Sequence, residues 1–80
     1  MKRLVFTAPA RVDIRRLDIS TARRIFTALQ RFVETGGGDV RKLVGTLEYR
    51  LRVGDYRVMF VEGVEAIVVK RVRHRSEAYR

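Results

Sequence analysis

The sequence predicts a small α+β domain spanning residues 1–80, with helices packed on one face of an antiparallel sheet. Three observations carry that expectation. Apolar residues recur at helical spacing through residue 33. Three consecutive glycines, 36–38, then interrupt the chain. From Leu47 onward, apolar and polar residues alternate with period two. The order reads strand, helix, helix, strand, strand, strand. Strand and helix patterns that segregate along a chain in this way belong to α+β architectures.

Residues 3–6 read as a short N-terminal strand. Pro9 suits the first turn of a helix, where its missing N–H costs nothing, and Ala10, Ile14 and Leu17 continue at i, i+4, i+7. Asp18 or Ser20 supplies a capping oxygen for a second helix. Its apolar positions are Ala22, Ile25, Phe26, Leu29, Phe32 and Val33, with Arg23, Arg24, Gln30 and Arg31 off the stripe, and Gly36 suits a left-handed C-cap. After the glycines, Leu47, Tyr49, Leu51 and Val53 alternate with Glu48, Arg50 and Arg52. Gly54-Asp55 reads as a hairpin turn, Tyr56 to Val61 as the returning strand, Glu62-Gly63 as a second tight turn, and Val64 to Val72 as a third, β-branched strand. Links this short require an antiparallel meander.

Composition narrows function. Eighteen Lys+Arg against nine Asp+Glu give a net charge of +9, and fifteen of the eighteen bases are arginine. So basic a chain of 80 residues points to a polyanionic partner. Cysteine is absent and His74 is the single histidine, which disfavours disulfide frameworks, thiol chemistry, structural zinc and hydrolases built on imidazole; no metal and no other cofactor is expected. The longest uncharged apolar run, Ala66 to Val69, is far below the roughly 20 residues of a spanning helix, and Leu4-Val5-Phe6 is too short for a signal core. No membrane partner is expected, and a soluble cytoplasmic protein is the default.

The bases are not evenly placed. Arg50 and Arg52 share one face of their strand, Arg57 follows the hairpin, Arg71 and Arg73 share a face of the last strand, and Arg75 follows. A meander brings these strands about 4.8 Å apart, so the arginines converge on the face that the helices leave open. Guanidinium groups bind phosphate bidentately, and an aromatic side chain such as Tyr79 can stack an unpaired base. Residue by residue, a solvated face, a cross-strand ion pair of Arg57 with Glu48 or Asp55, and core packing of Tyr49, Tyr56 and Phe60 explain the pattern better than function does. It is the grouping of like charges that argues for a polyanion, because such charges repel until something neutralises them.

Three segments carry a family resemblance: Lys42-Leu43-Val44-Gly45, then Tyr49-Arg50-Leu51-Arg52-Val53-Gly54-Asp55-Tyr56-Arg57-Val58, then His74-Arg75-Ser76-Glu77-Ala78-Tyr79. Together they resemble the signature segments of the RelE/ParE toxin superfamily, and the order of helices and strands fits over the whole chain. The resemblance implies the RelE-like fold and the toxin of a toxin–antitoxin module, partnered by an acidic antitoxin. RelE-type toxins are ribosome-dependent endonucleases that cut mRNA in the A site, whereas ParE-type toxins share the fold and inhibit DNA gyrase; a diverged member that only binds RNA or antitoxin is a third reading.

By position, the resemblance implies catalytic roles for Arg50 and Arg52, where RelE has two lysines, for Arg57 as the grip on the scissile phosphate, for Arg73 near the leaving group, and for Tyr79 as a base-stacking residue. Lys42, Arg71 and Arg75 are the further candidates for RNA contact. Arginine does not give up its proton in a protein, so the lysine-to-arginine departure removes a general base. His74 is a candidate replacement, since several RelE-like toxins use a histidine near this end, but strand alternation places it on the face opposite Arg73.

Overall fold

The computed structural model describes residues 1–77. Its elements are β1 (Arg3–Phe6), α1 (Ala8–Arg15), α2 (Ile19–Thr35), β2 (Asp39–Lys42), β3 (Glu48–Val53), β4 (Tyr56–Glu62) and β5 (Ala66–His74). Both helix starts follow from short polar side chains. Thr7 caps α1 by accepting from the Ala10 N–H, and Asp18 caps α2 by accepting from the Thr21 N–H. Gly36, at φ 72°, ends α2 in the left-handed conformation, and its N–H donates to the Phe32 carbonyl.

The five strands lie in the order β1-β5-β4-β3-β2. β1 runs parallel to β5, and every other neighbouring pair is antiparallel. β3, β4 and β5 form the expected meander. β2 is the addition: Asp39-Val40-Arg41-Lys42 holds one apolar residue, too little alternation to announce a strand. The turn expected at Glu62-Gly63 is wider, spanning residues 63–65 and closed by the Gly63 N–H on the Ala66 carbonyl at 2.8 Å. β5 also continues two residues beyond Val72, to His74.

Both helices cover one face of the sheet. The core is Ala10, Ile25, Leu29, Leu51, Val58, Phe60, Ile67, Val69 and Val72, ringed by half-buried residues that include Phe32, Tyr49 and Tyr56. Tyr49 stacks on Phe60 with centroids 5.5 Å apart, and Phe32 tilts onto Phe60 at 5.1 Å, so these aromatic residues serve packing. Phe26 sits at the margin of the α2 stripe, 43% exposed, with its ring edge against Phe6.

A bulge in β5 decides which residues face away from the helices. Phe60 pairs with Val69, yet Met59 pairs with Arg71, so Lys70 has no partner on β4. The extra residue inverts the alternation. Ile67 and Val69 point into the core before it, Val72 does so after it, and Arg71 and Arg73 are carried to the open side. α1 completes the edge that β1 leaves uncovered. The Thr7 N–H donates to the Val69 carbonyl, the Thr7 hydroxyl donates to the Lys70 carbonyl, and the Asp13 carboxylate accepts from the Val72 N–H.

Candidate functional site

Strand register arranges the open face into two cross-strand rows. In one, Asp39 stands opposite Arg52, Arg52 opposite Arg57, and Arg57 opposite Arg73. In the other, Arg41 stands opposite Arg50, Arg50 opposite Met59, and Met59 opposite Arg71. Directly opposed side chains have Cβ atoms only about 4.5–5.5 Å apart, and like charges at that separation are destabilising. Three consecutive arginines on three strands are therefore a cost to the fold.

Arg57 is the centre of that row and is 9% exposed. Its guanidinium is neither dissolved in solvent nor paired with Glu48 or Asp55. Nη1 donates to the Tyr56 carbonyl at 3.2 Å and to the Gly54 carbonyl at 3.4 Å, both in the β3–β4 turn. Among the described residues no carboxylate lies within ion-pair distance of it; the two ion pairs there are Lys2–Glu62 and Asp13–Arg71. The turn that supplies these carbonyls requires glycine. Gly54 has φ 58°, and a Cβ there would lie 3.0 Å from the Arg24 guanidinium of α2.

Beside Arg57 the face hollows into a cleft of about 460 Å³ lined by Asp39, Arg41, Lys42, Leu43, Val44, Arg50, Arg52 and Arg57. Asp39 is its single carboxylate. Of the sequence candidates, Arg50, Arg52, Arg57 and Lys42 line it, and Arg73 adjoins Arg57 in the next strand. Asp39, Arg41, Leu43 and Val44 are additions; Asp39 and Arg41 were hidden because β2 was hidden.

Two candidates lie elsewhere. Arg71 turns around the sheet edge to Asp13, Nε to Oδ2 at 2.8 Å and Nη2 to Oδ1 at 3.1 Å. That bidentate pair makes it part of the α1–β5 joint. Burial pushes the Asp13 carboxyl up, but hydrogen bonds from Arg71 and the Val72 N–H, with the charges of Arg71 and Arg73, hold it below its ordinary value of 3.8. His74 stays in strand through the end of β5, so it faces away from Arg73. Its ring edge meets Tyr56 at 5.3 Å, and Nδ1 contacts Ser76, accepting from the Ser76 N–H at 3.2 Å. It does not line the arginine cleft, and sits beside Tyr56 and Asp13 instead. Arg75 is exposed, and its N–H on the Asp55 carbonyl at 2.7 Å ties residue 75 to the β3–β4 turn beside Arg57. Tyr79 lies outside the described residues.

The family model describing the ParE toxin of the type II toxin–antitoxin system parDE matches residues 4–79. Among solved structures, the chain is similar to the archaeal RelE–RelB complex of Pyrococcus horikoshii OT3, with TM-score 0.79, 24% identity, and 96% of this chain and 98% of that chain covered. It is similar to the RelB–RelE complex of Methanococcus jannaschii, with TM-score 0.78, 24% identity and 94% of each chain covered. It also resembles the intact E. coli RelBE complex, with TM-score 0.75, 23% identity, and 92% and 96% covered. No curated protein sequence matches significantly. No helix among the described residues is long and apolar enough to cross a membrane.

Proposed function

The chain belongs to the ParE toxin family of type II toxin–antitoxin systems, and from that premise we propose that this toxin acts on RNA, as a ribosome-dependent mRNA endonuclease held in check by an acidic antitoxin. The observation that carries the reading is Arg57: a cation nine-tenths buried, flanked by Arg52 and Arg73, with no carboxylate of the described residues to meet it. A phosphate diester on this row would neutralise charges that otherwise only repel.

The reaction suited to such a row is attack of a ribose 2′-oxygen on the adjacent phosphate. The 2′-O–P bond forms, the P–O5′ bond breaks, and the products are a 2′,3′-cyclic phosphate and a 5′-hydroxyl. The attacking 2′-hydroxyl loses a proton and the departing 5′-oxygen gains one. Arg52, Arg57 and Arg73 would stabilise the extra negative charge on the phosphorane, the contribution that is largest in most enzymes. Arginines cannot take the 2′-proton. Alignment of the mRNA by the ribosome then becomes a main source of rate, since orientation alone supplies several kcal/mol. Cleavage of naked RNA should be slow or absent.

A second reading has its own support. The matching family is described by ParE, and arginine at positions 50 and 52 suits a binding module that inhibits gyrase without cutting. The two readings separate in one pair of assays: primer extension on translated mRNA, and gyrase supercoiling with the purified toxin. Ribosome-dependent cuts with no supercoiling defect support the nuclease, and the reverse result supports the inhibitor. The antitoxin part is tested by stopped-flow association with the acidic protein encoded beside the toxin. The rate should fall steeply with salt, and a rate indifferent to salt would count against charge matching.

A further inference from the structure

Arginines are four of the eight residues that line the cleft; Leu43 and Val44 are its two aliphatic ones. Leu43 and Val44 line the same hollow as Arg50, Arg52 and Arg57. Val44 is completely exposed, and Leu47, across the same turn, is 76% exposed. A singly exposed aliphatic residue needs no explanation, but this one is held out by construction. The Leu43 N–H donates to the Glu48 carbonyl at 2.9 Å, the Thr46 N–H and hydroxyl both reach the Leu43 carbonyl, and the Glu48 N–H donates to the Thr46 hydroxyl. Gly45 takes φ 76° so that the turn can close. A turn closed by four hydrogen bonds thus presents a bare isopropyl group to water at the rim of a cationic cleft.

We propose that Leu43 and Val44 form a nucleobase platform: when the phosphate of a single-stranded RNA lies on Arg52 and Arg57, the base of an adjoining nucleotide packs on this aliphatic lip, and the lip sets which bases are accepted there. The proposal rests on the RNA reading above. Charge complementarity places a phosphate on the arginines, and the cleft, at about 460 Å³, falls in the range that accommodates small ligands, about 300–1,000 Å³. Every base has an apolar face, which gains by leaving water onto an aliphatic surface, whereas phosphate and ribose hydroxyls do not.

The test is fluorescence anisotropy of the full chain with a short single-stranded RNA and with the same oligonucleotide made abasic at successive positions. The proteins are wild type, Val44→Ser and Arg57→Ala. Val44 makes no buried contact, so Val44→Ser leaves the fold intact. Wild type should bind the complete RNA more tightly than one of the abasic forms. Val44→Ser should lose about three- to tenfold on the complete RNA, less than full burial of a valine would give, and lose nothing on that abasic form. Arg57→Ala should weaken both. If Val44→Ser weakens both RNAs equally, or neither, the platform is overturned while the arginine reading stands. If wild type binds no RNA at all, both fail together. Light scattering guards against a different occupant: a dimer that Val44→Ser dissolves would assign the lip to a second copy of the chain and overturn the proposal.

Discussion

Arg57 and Arg71 lie on neighbouring strands and the same side of the sheet, yet their charges are met in opposite ways. Arg71 is given a carboxylate: Asp13, brought to the strand edge by α1, binds it bidentately while also capping the Val72 N–H. Arg57 is given two carbonyls and two more arginines. The first arrangement is complete within the protein. The second has no carboxylate among the described residues. Charge alone therefore does not mark a functional arginine; what separates the two is whether the fold has already supplied the counter-charge.

The sharpest way to break this contrast is to truncate each centre. Arg57→Ala should lower ribosome-dependent cleavage by about 100- to 1,000-fold, the usual effect of removing one preorganised electrostatic contact. Because it also removes a like-charge neighbour from Arg52 and Arg73, thermal stability should hold or rise. Wild-type cleavage by Arg57→Ala in a ribosome assay would show that the site is misplaced. A clear loss of stability would show instead that the arginine is structural.

Asp13→Ala should do the reverse, removing a charged acceptor from both Arg71 and the Val72 N–H. Hydrogen bonds to charged groups contribute about 1.5–3 kcal/mol, and Arg71 keeps substantial access to water, so about 2 kcal/mol is expected. For a domain of this size that lowers Tm by roughly 8–16 °C. Arg71→Ala should cost less, because Asp13 keeps the Val72 N–H. Equal losses would mean that Asp13 acts through the ion pair alone.

An anion should also tell the two centres apart. Inorganic pyrophosphate at ten times its Kd stabilises a protein by about 1.4 kcal/mol if it binds only the native state. Differential scanning fluorimetry should show that shift for wild type and Asp13→Asn and lose it in Arg57→Ala. An undiminished shift in Arg57→Ala would place the anion elsewhere.

How the sequence relates to these two centres is instructive. The caps at Asp18 and Gly36, the α2 stripe and the meander were legible because each depends on local chemistry: a short oxygen, a missing Cβ, a period. So was the gathering of Arg50, Arg52, Arg57 and Arg73, which needs only alternation and short turns. β2 was not legible, because a four-residue edge strand with one apolar residue has no period to detect. With it went Asp39 and Arg41. The fate of Arg71 was not legible either. Its partner lies 58 positions earlier, and only the parallel placement of β1 against β5, a non-local choice, brings Asp13 to that edge. Tyr79 remains a sequence expectation.

Acid should turn Arg71 into a second Arg57, and this is the smallest of the expected effects. Among the described residues, two carboxyls are held below their ordinary values in the folded protein. Asp18 is pulled to about 2 by hydrogen bonds from the Thr21 hydroxyl, the Ser20 hydroxyl and the Thr21 N–H. Asp13 is held below 3.8 by Arg71 and Val72 against the upward push of burial. In the unfolded chain both return to ordinary values, so between about pH 4 and pH 2 the unfolded state binds more protons and stability must fall as pH falls. Above that window both contributions are fully present. Asn is as good an N-cap as Asp, so Asp18→Asn should match wild type at neutral pH and lose stability less steeply in acid. Asp13→Asn should flatten the acid slope as well, but from a lower starting point, since Arg71 is then without its counter-charge at every pH. Urea unfolding of the three proteins from pH 7 to pH 2.5 checks this. If Asp13→Asn is no less stable than wild type at neutral pH, or its acid slope equals that of wild type, the carboxylate is not what completes Arg71, and the contrast with Arg57 fails.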